Sequence, residues 1–453
     1  MKKKLIKKLP QLLILNSSLL ILLASCSIEK QISQSAKADV LDAKALQTAH
    51  VGISIFDPST NKYLYNYQGD KYFVPASNTK LPTCYAAMKY LGDSLVGAML
   101  LEKDTAILII PTGDPTLLHP DFKTQPLINV LKKEKRNIYI NNDNWQEEAL
   151  GSGWSWNDYD QYYMAERNSF PVYGNVLDWT QEINERNKPP LVYSIPETNW
   201  DVTFSDTEKA KAFSVARNIG TNSYTITQGM EKKKTISIPF ITNGVQSSLE
   251  LLKDTIFREI TTIDLNKIIS IQNGLRNELK KIHSQPTDSL LKPMMHRSDN
   301  FFAEQSLLMV SNEMLGVMND AKIIDTILKT DFKDLPQKPR WVDGSGLSRY
   351  NLFTPQDFVA ILNKMKNEFG MERIKVILAT GGEGTISSYY KADSGYIYGK
   401  TGTLSGVVAF SGFLYTKKGK LLIFSTLVNN HQATSTEVRK AMEKFLQGVR
   451  NKY

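Results

Sequence analysis

Five serine–lysine pairs stand three positions apart in this sequence: Ser27/Lys30, Ser59/Lys62, Ser77/Lys80, Ser289/Lys292 and Ser388/Lys391. On a helix that spacing puts both side chains on one side, where the amine can take the hydroxyl proton and make the serine a nucleophile. A free lysine has a pKa of about 10.4, so the chemistry needs burial or a nearby cation to keep the amine neutral. At ordinary usage a chain of 453 residues holds about two such pairs, and spacing alone selects none. Context does. Ser59 falls in the turn DPSTN between HVGISIF and KYLYNY, which read as a β-hairpin. Ser27 lies in a polar N-terminal run and Ser289 reads as a helix surface position. Ser77 follows a loop, FVPAS, and opens an apolar-periodic run through Leu81, Cys84, Met88 and Leu91. Pro82 has no amide hydrogen and fits only a first helical turn, so regular helix begins near Asn78 or later, or kinks.

Two later clusters complete a serine chemistry. HRSDNFFAEQ carries Ser298, Asp299 and Asn300 at the head of a helical run, and YGKTGTLSG carries Lys400, Thr401, Gly402 and Thr403 at the head of a β-hairpin. Ser298 and Asn300 can relay a proton and bind an amide. Lys400 is the cation that would keep Lys80 neutral, and with Thr401 and Thr403 it can hold a carboxylate. GYIYGKT also ends like a nucleotide-binding P-loop, but Gly395 and Gly399 enclose three residues instead of four, and a strand follows instead of a helix.

Ser-x-x-Lys, Ser-x-Asn and Lys-Thr-Gly in this order resemble the signature of serine β-lactamases and penicillin-binding proteins. Ser298 stands 221 positions after Ser77, and Lys400 stands 102 after Ser298. That long first interval resembles the class C low-molecular-mass penicillin-binding proteins, the D-alanyl-D-alanine carboxypeptidase/endopeptidase family. So do GDPTL (113–117), GWSWND (153–158), DGSGLSRYNLFTP (343–355) and GGEGT (381–385). The resemblance runs from about 46 to 445. It implies an α/β (α+β) transpeptidase-like domain, a five-stranded antiparallel sheet flanked by helices and interrupted by a large mixed insert. It implies cleavage of the D-Ala-D-Ala bond, or of the D-amino-acid crosslink, in peptidoglycan stem peptides, with β-lactams as covalent inhibitors and no metal or organic cofactor. Carried over residue by residue, Ser77 is the nucleophile and Lys80 the base, assisted by Ser298, Asn300 and Lys400. Thr401, Gly402 and Thr403 bind substrate, the amides of Ser77 and Thr403 hold the oxyanion, and Asp158 reaches a basic substrate side chain. A β-lactamase or esterase on the same scaffold, and a non-hydrolytic penicillin-sensing lipoprotein, are the alternatives. The chain departs from the family after WND, where YYMAERNSFPVYGN replaces a small-residue segment.

These residues need a framework. The first 25 residues join five lysines to the apolar stretch LLILNSSLLILLAS, as in a secretory signal. The stretch ends in LASC, which resembles a lipobox, so Cys26 would carry lipid and hold an exported protein at a membrane of the cell envelope. Losing those lysines takes the formal net charge from +9 to +4, too mild for a nucleic-acid partner. The second cysteine, Cys84, reads as a small buried apolar residue, so no disulfide framework exists. Residues 26–45 read as a polar tether, 46–95 as the first transpeptidase-like segment, 96–245 as the insert and 246–453 as the second segment. The aromatics of GWSWNDYDQYY read as the insert's own core, and DGSGLS and GGEGT as turns near the site that need glycine.

Overall fold

The structure, a computed structural model, describes residues 29–183, 190–205, 210–264 and 278–452. The leader and Cys26 lie outside the described residues. The chain forms two units, one of Met1–Asn78, Leu335–Arg340 and Leu352–Tyr453, the other of Thr79–Asp334 and Trp341–Asn351.

In the first unit the hairpin HVGISIF/KYLYNY joins the two long C-terminal strands in one antiparallel sheet. Its order is Ala379–Thr380, Ile397–Leu404, Val407–Tyr415, Leu421–Asn429, His50–Asp57 and Lys62–Tyr67. This is one strand more than the five expected, because the two-residue Ala379–Thr380 caps the edge. His50–Asp57 buries all but its first residue, as an inner strand covered on both faces must. Helix Pro355–Ile377 packs against one side of the sheet and starts at a capping box between Thr354 and Asp357. The C-terminal helix Ser435–Lys452 lays Val438, Met442, Phe445 and Val449 on Val408, Phe410 and Phe424.

The stretch read as a tether is helical over 29–41. Ile32, Ala36, Val40 and Leu46 are at most 3% exposed in the same core. The helical residues recur every four positions, so an amphipathic stripe lies inside a polar composition.

In the second unit the helices Lys80–Tyr90, Thr287–His296, Asn300–Leu315 and Asp320–Lys329 pack together. Asn300–Leu315 is buried without a break from Phe301 to Asn312, so it is the central helix of that group. Beside them stands a mixed five-stranded sheet ordered Ile260–Thr262, Asn137–Ile140, Ala106–Pro111, Ser94–Glu102 and Lys280–Pro286, with two three-stranded sheets beyond. Ser94–Glu102 pairs with Lys280–Pro286, so the insert does not close at 245. Its sheet takes a strand from well beyond that boundary.

Candidate active site

Ser77 lies half-buried in the 3-10 turn Ala76–Thr79, and the α-helix Lys80–Tyr90 follows directly. Pro82 is thus the third helical residue, where its missing N–H is not needed. Ala76 has φ +48°, left-handed for a residue with a Cβ, and sets the abrupt entry into this turn. Gly402 of the strand Ile397–Leu404 comes against the same segment. A Cβ added there would stand 2.5 Å from the Pro75 carbonyl oxygen and 3.0 Å from the Ser77 nitrogen. The glycine of Lys-Thr-Gly is therefore required by close backbone approach. Asn78 also ties this segment to the sheet, donating to Ser411 Oγ at 2.7 Å. Lys400 is fully buried, and its Nζ donates to the Thr401 carbonyl at 2.8 Å. Thr401 is hydrogen-bonded to Thr385 of GGEGT at 2.6 Å.

In the second unit Lys80 and Asn300 meet. Lys80 is fully buried, and its Nζ donates to Asn300 Oδ1 at 2.6 Å and to the Ser345 carbonyl at 2.8 Å. Both acceptors are polar groups of the second unit, so the buried amine is held in one orientation. Burial lowers the Lys80 pKa to about 8, against the pull of Asp343, Glu304 and Asp299. Burial is one of the two causes open from sequence. Asn300 Nδ2 donates in turn to the Tyr163 carbonyl at 3.0 Å, so the orientation of this amide is fixed at both ends. Ser298, at φ +64°, is a second left-handed residue, and the Asp299 carboxylate caps the helix by accepting from the Phe302 amide.

Sequence reasoning missed what holds these groups. Asp343, fully buried, accepts from the amides of Gly346 and Ser348, from Asn351 and from the Trp154 indole. The turn DGSGLS is built around that carboxylate. Glu304 accepts from the Ser345 amide at 2.7 Å and from Arg167 Nη1 at 3.2 Å, and burial raises its pKa to about 7. Arg167, 1% exposed, also reaches Asp320 at 2.7 Å. The signal was present: a lone glutamate inside NFFAEQSLLMV must be paired if the run is buried.

Asp158 ends the short 3-10 turn Trp156–Asp158, half-buried, in the loop that leads to Tyr163. Burial and the Asp158 charge raise the Tyr163 hydroxyl pKa. The neighbouring aromatics are not the insert's core: Trp156 is 74% and Tyr162 68% exposed, while Trp154 anchors on Asp343. A cavity of about 680 Å³ opens beside this loop, lined by Tyr163, Asp121, Asp178, Ser298 and Asn300 among others.

The family model of the D-Ala-D-Ala carboxypeptidase 3 (S13) family matches residues 33–449. The chain is 24% identical over 452 residues to a D-alanyl-D-alanine carboxypeptidase DacB of Haemophilus influenzae, covering 91% of this chain and 92% of that one. It is 25% identical over 447 residues to a D-alanyl-D-alanine carboxypeptidase of an Actinomadura species, covering 86% and 80%. The crystal structure of penicillin binding protein 4 from Haemophilus influenzae superimposes with a TM-score of 0.71 at 20% identity, covering 92% of this chain and 98% of that one. The fold is thus the α/β transpeptidase-like fold expected from sequence.

Proposed function

The chain belongs to the D-Ala-D-Ala carboxypeptidase 3 (S13) family, which makes it a serine hydrolase of peptidoglycan, and we propose that it works through an acyl-enzyme on Ser77. Ser77 Oγ attacks the carbonyl between two D-alanines as Lys80 Nζ takes its proton. The amides of Ser77 and Thr403 receive the oxyanion. The C–N bond then breaks, and D-alanine leaves as its amine gains a proton, with Ser298 as relay. Water cleaves the ester and restores the serine. Asn300 and Lys400 complete the catalytic set, and Thr401, Gly402 and Thr403 form the ledge for the substrate. The same steps open a D-amino-acid crosslink, and β-lactams acylate the same hydroxyl.

The observation that carries this reading is Lys80: fully buried, hydrogen-bonded to Asn300 of the Ser-x-Asn motif and brought to about 8. At pH 7 about a tenth of such an amine is neutral, against about 3 in 10,000 at its ordinary value. Asp158 is the residue assigned to a basic side chain of the stem peptide. The leader would export the protein, with lipid on Cys26 as its membrane anchor.

Release of D-alanine from a peptide ending in D-Ala-D-Ala tests the reaction. The wild type should release it and Ser77→Ala should not; equal release by both would refute the assignment. For the anchor, Cys26→Ser should abolish incorporation of a labelled fatty acid, and unchanged incorporation would exclude it.

A further inference from the structure

In the first unit the N-terminal helix over 29–41 and the C-terminal helix Ser435–Lys452 run antiparallel. Lys452 Nζ donates to Ser35 Oγ at 2.8 Å, and Lys444 pairs with Asp39 at 2.9 Å. Counting back from Ser35 to Glu29 adds about 9 Å of helix, so the N-terminal helix starts just beyond the point where the C-terminal helix ends. The turn KKGK reaches the same end, for the Lys417 amide donates to the Arg450 carbonyl at 2.9 Å. Lys30, Lys417, Lys418 and Lys452 are all exposed there, and among the described residues none of them pairs with a carboxylate. The neighbouring acids are mostly engaged. Asp57, at the same end of the sheet, is buried and accepts from Ser59, and Asp393 pairs with Arg450 at 3.4 Å. Glu29 is exposed beside Lys30.

Position along the chain points to the partner. Cys26 stands three residues before Glu29, a reach of at most about 10 Å. The helix that follows is fixed in the core by Ile32, Ala36 and Val40, so a lipid on Cys26 would bring this end of the unit to the headgroups. Lipid anchoring commonly joins an acyl chain to a basic patch, and each lysine near an anionic membrane surface adds to the attraction. The catalytic motif lies at the other end of the sheet. Lys400 stands opposite Ser411, five residues before the turn begins at Thr416, or about 17 Å away.

We propose that Lys30, Lys417, Lys418 and Lys452 form a docking face for anionic lipid headgroups, which seats the first unit directly on the membrane with the Lys-Thr-Gly motif at the far end of the sheet. This rests on the lipid proposed above for Cys26. Without a long tether the enzyme works on stem peptides close to the membrane surface. The charge contribution is screened by salt, whereas the lipid is not.

The test uses the full chain as cells make it, purified with its lipid and placed on vesicles of phosphatidylcholine alone or of phosphatidylcholine with phosphatidylglycerol. Acetylation of lysines by acetic anhydride is mapped by mass spectrometry. At the four lysines the rate should fall about fivefold on the anionic vesicles relative to the neutral ones, and high salt should remove the difference. Lys440, exposed about 18 Å along the helix from Lys452, should react equally on both. Lys417→Glu combined with Lys418→Glu, on an exposed turn outside the catalytic set, should return Lys30 and Lys452 to the neutral-vesicle rate and leave penicillin acylation unchanged, which is the control for folding. Equal rates on both vesicles in lipid-bearing protein, or protection of Lys30 and Lys452 that survives the double substitution, overturns the inference alone. A Cys26 peptide that carries no lipid overturns the anchor reading and this inference with it.

Discussion

Replacing Asn300 by aspartate exchanges one NH2 for an oxygen and should nearly silence the site. Asn300 presents Oδ1 to Lys80 at 2.6 Å and Nδ2 to the Tyr163 carbonyl at 3.0 Å. Aspartate keeps the first contact, turns the second into a meeting of two acceptors, and adds a negative charge beside a fully buried amine. Two unit charges about 4 Å apart at an effective dielectric of about 20 interact by about 4 kcal/mol, or roughly 3 pKa units. Lys80 would move from about 8 to about 11. At pH 8 the neutral fraction then drops from about a half to about one in a thousand, and acylation slows about 500-fold. The assay is the second-order rate of acylation by a fluorescent penicillin from pH 6 to 11. The wild type should rise through an acid limb near 8, because the active base is the deprotonated form, and Asn300→Asp should carry that limb upward to about 11. A limb that stays in place in the variant, or moves down, refutes the role given to Lys80.

Glu304→Gln should act in the opposite direction. The Glu304 charge raises the Lys80 pKa, so its loss moves the acid limb down, which the same titration reads. An amide has one acceptor and one donor end, so it satisfies the Ser345 amide or Arg167 but not both. Urea unfolding should show a loss of about 1–3 kcal/mol. Gly402→Ala drives a Cβ into the Pro75 carbonyl and should cost about 1–3 kcal/mol together with most penicillin acylation; normal acylation would contradict the close approach. Ile32→Ala should destabilise the folded chain by about 2–4 kcal/mol, since Ile32 is 3% exposed in the core. A flexible tether would give no change in Tm.

The chemistry was legible because its carriers are short local patterns at element boundaries. Asn300 begins a helix, and Lys400 lies in the first strand of the β-hairpin read at Lys-Thr-Gly, Ile397–Leu404 with Val407–Tyr415. Hidden from sequence were the groups that act through space. One acceptor for Lys80 is a main-chain carbonyl 265 positions away, and no residue type announces a carbonyl. Arg167 and Asp343 look like surface charges until folding buries them. The strand Ser94–Glu102 was missed because SLVGAMLLE is rich in helix formers; its pairing with Ala106–Pro111 and Lys280–Pro286 overrides that preference. The N-terminal helix was missed for another reason. Polar composition outweighed Ile32, Ala36 and Val40, whose spacing was visible.

The central claim is that Ser77, among five serines with a lysine three positions on, is the nucleophile. Acylation of the intact protein by a penicillin, followed by digestion and mass mapping, tests it most directly. The account predicts one adduct, on the peptide bearing Ser77, and none in Ser77→Ala. An adduct on any other residue, or labelling that survives Ser77→Ala, would contradict it.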